Sequence, residues 1–163
     1  MNLRPLTDQA RGALFNILAA RVPGAHWLDL FAGTGAVGIE ALSRGAEISI
    51  FVEHNRTAVQ LIRENLDLTG FTDRSEVYQL DAVKAVTLLQ DKGAQFDIIY
   101  LGAPYDSPVL EKTAAKLAEY DLLTLDGIMV VEHRKQHLLP ENFGKFVRFR
   151  EARYGETVLA FYE

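Results

Sequence analysis

The sequence predicts an α/β fold: a mostly parallel, seven-stranded sheet with helices on both faces and an antiparallel hairpin near its C-terminal end. Three observations carry this. Short apolar runs rich in β-branched residues alternate five times with helix-patterned stretches, as crossover-connected parallel strands do. The first run, Trp27 to Phe31, leads into Gly33-Thr34-Gly35-Ala36-Val37-Gly38, a glycine turn that opens directly into a helix. Late in the chain, Phe146 to Tyr154 and Thr157 to Tyr162 alternate as two strands around Gly155.

The elements follow in order. Thr7 is placed to cap a first helix, with Asp8 favourable against its dipole, and Ala10, Ala13, Leu14, Ile17 and Leu18 form one apolar stripe. Pro23-Gly24 ends that stretch. After the glycine turn a helix runs to about Ser43, then Ile48 to Val52 is a second strand closing on Glu53. A helix from about Asn55 buries Ala58, Leu61, Ile62 and Leu66 and stops at Gly70. The third strand, Glu76 to Leu80, closes on Asp81 and is followed by a helix over Ala82 to Gln90. Phe96 to Leu101 is the fourth strand and runs into Gly102-Ala103-Pro104-Tyr105. A helix over Pro108 to Glu119 and a fifth strand over Gly127 to Glu132 complete the alternation. One domain is expected over 1–163, with an N-terminal helix at 8–21, a core at 26–133 and a hairpin region at 145–162.

Composition narrows the function. A chain of 163 residues that is 48% hydrophobic can bury a real core, and the absence of cysteine excludes disulfides and thiolate metal sites. Of His26, His54, His133 and His137 only the last two stand at a ligand-like spacing, and two histidines alone do not make a metal site, so no metal is expected. No apolar run approaches the ~20 residues that span a bilayer, nor does the N-terminus read as a signal peptide, which points to the cytoplasm and no membrane partner. The net charge of -5 argues against broad nucleic-acid binding. Local basic groups, Arg4, Arg11 and Arg21 early and Lys145, Arg148, Arg150 and Arg153 late, would form one patch only if the two ends met.

Ligands of such sheets bind beyond the carboxyl ends of the strands. Asp29, Glu53 and Asp81 stand at consecutive strand ends, where together they would repel unless a ligand supplied positive charge or hydrogen-bond donors. S-adenosylmethionine supplies both. On this reading Glu53 accepts from the ribose hydroxyls, Asp81 reaches the adenine edge and Asp29 faces the methionine ammonium. Taken singly, an acid at a strand end is as well explained as a helix cap.

Asp29-Leu30-Phe31-Ala32-Gly33-Thr34-Gly35, Val52-Glu53, Asp81-Ala82, the Pro104-Tyr105 turn, Val131-Glu132-His133 and Arg153-Tyr154-Gly155-Glu156-Thr157 together resemble the RsmD family of class I methyltransferases. Arg4-Pro5-Leu6-Thr7-Asp8-Gln9-Ala10-Arg11 looks like that family's opening segment, and the resemblance covers nearly the whole chain. It implies a Rossmann-like fold and methylation of the exocyclic N2 of a guanine in small-subunit ribosomal RNA, on naked RNA or the assembling subunit, by a monomer. For the cofactor it implies Asp29, Phe31, Gly33, Thr34, Gly35, Glu53, His54, Asp81 and Ala82; for the chemistry Gly102, Ala103, Pro104 and Tyr105; for the RNA Arg4, Thr7, Arg11 and Arg153.

Two departures from the family stand out. Relatives carry a basic segment before Arg-Pro that folds as a small hairpin, and this chain begins almost at that point, so part of the positive RNA-facing surface is expected to be missing. Relatives also show Asp-Pro-Pro-Tyr or Asn-Pro-Pro-Tyr after the fourth strand, whose first side chain accepts from the target amino group. Here Gly102-Ala103-Pro104-Tyr105 keeps the aromatic and a rigid carbonyl and loses that acceptor. Two other functions therefore stay open: a cofactor-binding module of this fold without activity, and a nicotinamide-dependent oxidoreductase, which the glycine turn and Glu53 also fit.

Overall fold

The computed structural model describes residues 6–104 and 107–163. In chain order the elements are α1 (Asp8–Ile17), β1 (His26–Leu30), α2 (Ala36–Ser43), β2 (Ile48–Glu53), α3 (Arg56–Thr69), β3 (Ser75–Gln79), α4 (Ala82–Asp91), β4 (Phe96–Leu101), α5 (Pro108–Glu119), β5 (Leu123–Arg134), β6 (Asn142–Phe143), β7 (Phe146–Tyr154) and β8 (Thr157–Tyr162). The strands join one sheet in the order β3-β2-β1-β4-β5-β8-β7-β6. The β3-β2-β1-β4-β5 half is parallel, and β8 lies antiparallel between β5 and β7. The eighth strand, against seven expected, is β6, two residues paired with the start of β7.

Local chemistry explains most boundaries. Thr7, Asn55, Asp81 and Ser107 each accept a backbone N–H of the first turn that follows them, and Pro108 opens α5. α1 is shorter than the expected 8–21: Leu18 caps it, and the Arg21 amide turns back onto the Leu18 carbonyl at 2.8 Å. Pro23 follows, and it disfavours helix at the residue before it. β5 starts earlier than expected because Leu123 pairs with Phe96 across a register shift.

The sheet is buried on both faces. α4 and α5 cover one, packing Val86, Leu89, Leu110 and Leu117 on Leu28, Val52, Ile99, Leu101 and Val131. On the other face α1 and α2 cover Trp27, Ile98, Tyr100, Val130, Leu159 and Phe161, with Phe15 stacked on Trp27 at 5.5 Å between ring centroids. Ala152 and Tyr154 of β7 pack against this same cluster, which α1 also lines. α3 buries Ile62 and Leu66 on Phe51, next to Leu42 of α2. Among the described residues no helix is long and apolar enough to cross a membrane.

Candidate active site

Beyond β1 the backbone turns through positive φ at Phe31 (63°), Gly33 (59°) and Gly35 (86°). Glycine takes this conformation freely; a bulky aromatic is strained by ~1–3 kcal/mol, and Phe31 tolerates it with its ring against the α4–α5 core. Both neighbouring elements grip the loop. Ala32 N donates to Val52 O of β2 at 3.0 Å, and Asn65 Nδ2 of α3 donates to Thr34 O at 3.0 Å.

The acids of the site hold backbone amides. Glu53 Oε1 accepts from Gly33 N at 3.0 Å and Oε2 from Asn55 N at 2.8 Å, tying the loop to the start of α3. His54 Nδ1 lies 3.4 Å from Glu53 Oε2, its ring mostly exposed. Asp29 Oδ2 accepts from Gly38 N at 3.1 Å, which ties β1 to the first turn of α2. Asp29 is 1% exposed, and burial pushes its carboxyl up to about 8 against the pull of the Gly38 amide, with the charges of Glu53 and Glu132 adding to the rise.

Glu132 is a third buried acid, near enough for its charge to act on Asp29. The parallel register sets Leu101 of β4 beside Val131 of β5, so Gly102 and Glu132 follow side by side at the strand ends. Glu132 is 6% exposed, and its Oε1 accepts from Tyr100 Oη at 2.5 Å. A Cβ at Gly102 would stand 2.9 Å from Tyr100 Cε1 and 3.2 Å from Glu132 Oε1, so the Tyr100 ring and this carboxylate pack where a side chain at 102 would begin.

A family model described as conserved hypothetical protein 95 matches residues 1–163. The chain belongs to this family, the RsmD family. It is 38% identical over 160 residues to the YlbH protein of Bacillus subtilis (strain 168), covering 98% of this chain and 87% of that one. It is 32% identical over 161 residues to the Ribosomal RNA small subunit methyltransferase D of Escherichia coli (strain K12), covering 99% of this chain and 79% of that protein. Among solved structures, a conserved hypothetical protein of Streptococcus pyogenes superposes with a TM-score of 0.85 at 34% identity, over 93% of each chain.

Against this family background, the residues singled out from sequence divide into groups. Asp29, Phe31, Gly33, Thr34, Gly35 and Glu53 come together in the loop and its ties. Asp81 stands apart: its side chain is about half exposed and its Oδ1 caps α4 by accepting from Lys84 N at 2.9 Å, while Ala82 is buried at the start of that helix. Ala103 turns its methyl into the α4–α5 core, so only its backbone can reach a substrate. Pro104 is exposed and its carbonyl accepts from Ser107 N at 3.3 Å. Tyr105 and Arg4 lie outside the described residues. Thr7 is occupied as the cap of α1, and Arg11 is paired with Glu40 at 2.8 Å and Asp8 at 3.1 Å, bridging α1 to α2. Arg153 is exposed on β7, 3.9 Å from Glu151. Glu132 stands out in the sequence only as part of the Val131-Glu132-His133 segment and carries no site role there. Its signal is an acid ending an apolar strand, as Glu53 is, but only the register places it at Gly102.

The titration of Asp29 gives a direct check. In the unfolded chain this carboxyl loses its proton near pH 4, whereas in the cofactor-free fold it keeps it to about pH 8. Between those limits the folded state binds the extra proton, so the stability owed to Asp29 falls as pH rises and is level outside the window. Asp29→Asn keeps an acceptor for Gly38 N and does not titrate. Urea unfolding from pH 5 to 8 is expected to show the variant gaining on the parent by up to ~1.4 kcal/mol per pH unit. A constant difference would rule out the buried proton.

Proposed function

We propose that this chain is an S-adenosylmethionine-dependent methyltransferase that methylates the exocyclic N2 of a guanine in small-subunit ribosomal RNA, acting in the cytoplasm as a single-domain monomer. The observation that carries the reading is the glycine loop stretched between two buried carboxylates, Asp29 and Glu53, with no basic side chain paired to Asp29 among the described residues. A buried acid left without a counter-charge suits a cationic ligand. Family membership and the activity named for the E. coli relative support methylation of small-subunit ribosomal RNA.

S-adenosylmethionine, when bound, supplies a methyl group on a sulfonium. The chain's own residues orient it. Asp29 receives the ammonium, giving up its proton as the cation arrives, and Glu53 keeps lone pairs for the ribose hydroxyls beyond the two it lends to backbone amides. Methyl transfer draws heavily on such positioning.

Transfer of tritiated methyl to small-subunit RNA, or to assembled subunits that lack the modification, tests the activity. No incorporation by a chain that binds S-adenosylhomocysteine would defeat it. The cofactor site has a separate test. Because S-adenosylhomocysteine keeps the ammonium, its affinity should rise from pH 6 to 8, with protons released to buffer in calorimetry; NAD should not bind.

A further inference from the structure

A turn with glycine on both sides of one residue does not hold its own shape. Gly33 and Gly35 sit at φ 59° and 86°, and a glycine at 35 places little restraint on rotation of the peptide unit that joins it to Thr34. The orientation of that unit is therefore set by what its two polar atoms meet. Its amide is used inside the turn, Gly35 N donating to Ala32 O at 2.9 Å. Its carbonyl is held from outside, by a residue 31 positions further along the chain: Asn65 Nδ2 donates to Thr34 O at 3.0 Å.

Asn65 is carried by a helix with its own anchorage. α3 is capped by the Asn55 side chain, which accepts from Ala58 N, and it buries Ile62 and Leu66 on Phe51. Ile62, three residues before Asn65, lies against the same turn: a Cβ at Gly35 would stand 3.3 Å from Ile62 Cγ1. The helix thus meets the loop twice, by packing at Gly35 and by a hydrogen bond at Thr34. Asparagine is a poorer helix former than leucine or alanine, so at this position inside α3 it gives up local stability in exchange for that bond. The two acids hold the flanks of the same span, Glu53 at Gly33 N before Thr34 and Asp29 at Gly38 N after it. Asn65 fixes the stretch between them.

We propose that Asn65 is a positioning residue for the cofactor: by holding the Thr34 carbonyl it sets the spacing between the Glu53 end of the loop and the Asp29 end, so that one ligand reaches both acids. This rests on the cofactor reading above, in which Glu53 takes the ribose and Asp29 the ammonium. A ligand that engages both ends gains from a loop whose spacing is already set, because its second contact carries no further ordering cost. A ligand that engages only the nucleoside end gains nothing from it. The role of Asn65 is therefore selective for ligands that carry the amino-acid half.

The test is calorimetry on the parent, Asn65→Leu and Asn65→Asp with two ligands: S-adenosylhomocysteine, and 5′-methylthioadenosine, which keeps the nucleoside and the thioether and lacks the amino acid. Asn65→Leu keeps the size of the side chain and removes the donor. Its affinity for S-adenosylhomocysteine is expected to fall ~10-fold while that for methylthioadenosine stays within about twofold of the parent. Its melting temperature should be unchanged or higher, since leucine favours the helix; a loss of binding without a loss of stability is a split that a purely structural role would not give. Asn65→Asp sets a carboxylate against the Thr34 carbonyl and can donate only when protonated. The ratio of its S-adenosylhomocysteine affinity to that of the parent at the same pH should therefore rise as pH falls from 8 to 5. A folded Asn65→Leu that binds S-adenosylhomocysteine within about twofold of the parent would overturn the role, as would equal losses for the two ligands. If Asn65→Leu does not fold, the Asn65→Asp ratio decides, and a level ratio overturns the role. A parent chain that binds neither ligand would overturn the cofactor reading, and this role with it.

Discussion

Gly38→Ala is expected to lower the melting temperature by roughly 4–8 °C, the largest loss of stability from any single methyl group in the site. The Cβ would stand 2.4 Å from Phe51 Cε2, 2.8 Å from Phe51 Cζ and 2.9 Å from Ser49 Oγ. Phe51 is fully buried between α2 and α3 and cannot swing aside. Overpacking of this kind costs about 1–3 kcal/mol, and the helix preference of alanine over glycine returns about 1 kcal/mol at most. The 2.4 Å approach to a ring that cannot move places the cost at the upper end of that range, so the net is about 2 kcal/mol, which converts to the stated shift for a chain of this size. Because α2 must ride outward, the Gly38 amide also leaves Asp29, so S-adenosylhomocysteine affinity falls as well. Scanning calorimetry with the double variant Gly38→Ala and Phe51→Leu decides the cause. Recovery of most of the loss assigns it to the ring; no recovery assigns it elsewhere.

Glu53→Gln is expected to weaken S-adenosylhomocysteine binding by ~10–100-fold while the chain stays folded. Each oxygen of the carboxylate holds one backbone amide, Gly33 N or Asn55 N. An amide side chain can satisfy one of them and presents its own N–H to the other. Charge-assisted bonds of this kind are worth about 1.5–3 kcal/mol, and the affected one positions the glycine loop. Isothermal calorimetry reads the affinity and circular dichroism the fold. Unchanged affinity would show that the loop holds its shape through Asn65 and Val52 alone.

Where a boundary depended on neighbouring residues, the sequence was enough. β4 and α5 were legible to the residue because Gly102 and the Ser107-Pro108 pair punctuate them locally, and the β7–β8 pair was legible from alternation around Gly155. Elements defined by a partner were not. β6 is a strand only because Asn142 and Phe143 lie against Val147 and Phe146, and the first residues of β5 lie before the expected start at Gly127 because Leu123 pairs with Phe96. The site divides in the same way. Asp29 and Glu53 stand next to a glycine pattern that draws attention to them. Glu132 is far from that pattern in sequence and acquires its place from the register of β4 on β5. For the same reason Asp81, at a strand end like the others, proves half exposed and occupied as a cap.

The antiparallel insertion of β8 also fixes the order in which this chain can be built. Leu159 and Phe161 complete the cluster that holds Phe15 and Trp27, and β8 is the strand that covers β5 from Met129 to Arg134. While the chain is being synthesised, the face under α1 stays open and β5 stays an unpaired edge until Phe161 has emerged. Edges of that kind invite pairing with other chains, and contacts this distant in sequence form late. The half of the sheet that carries the glycine loop can organise early, but the end of β5 at Glu132 gains its second neighbour, Leu159, only once synthesis is nearly over.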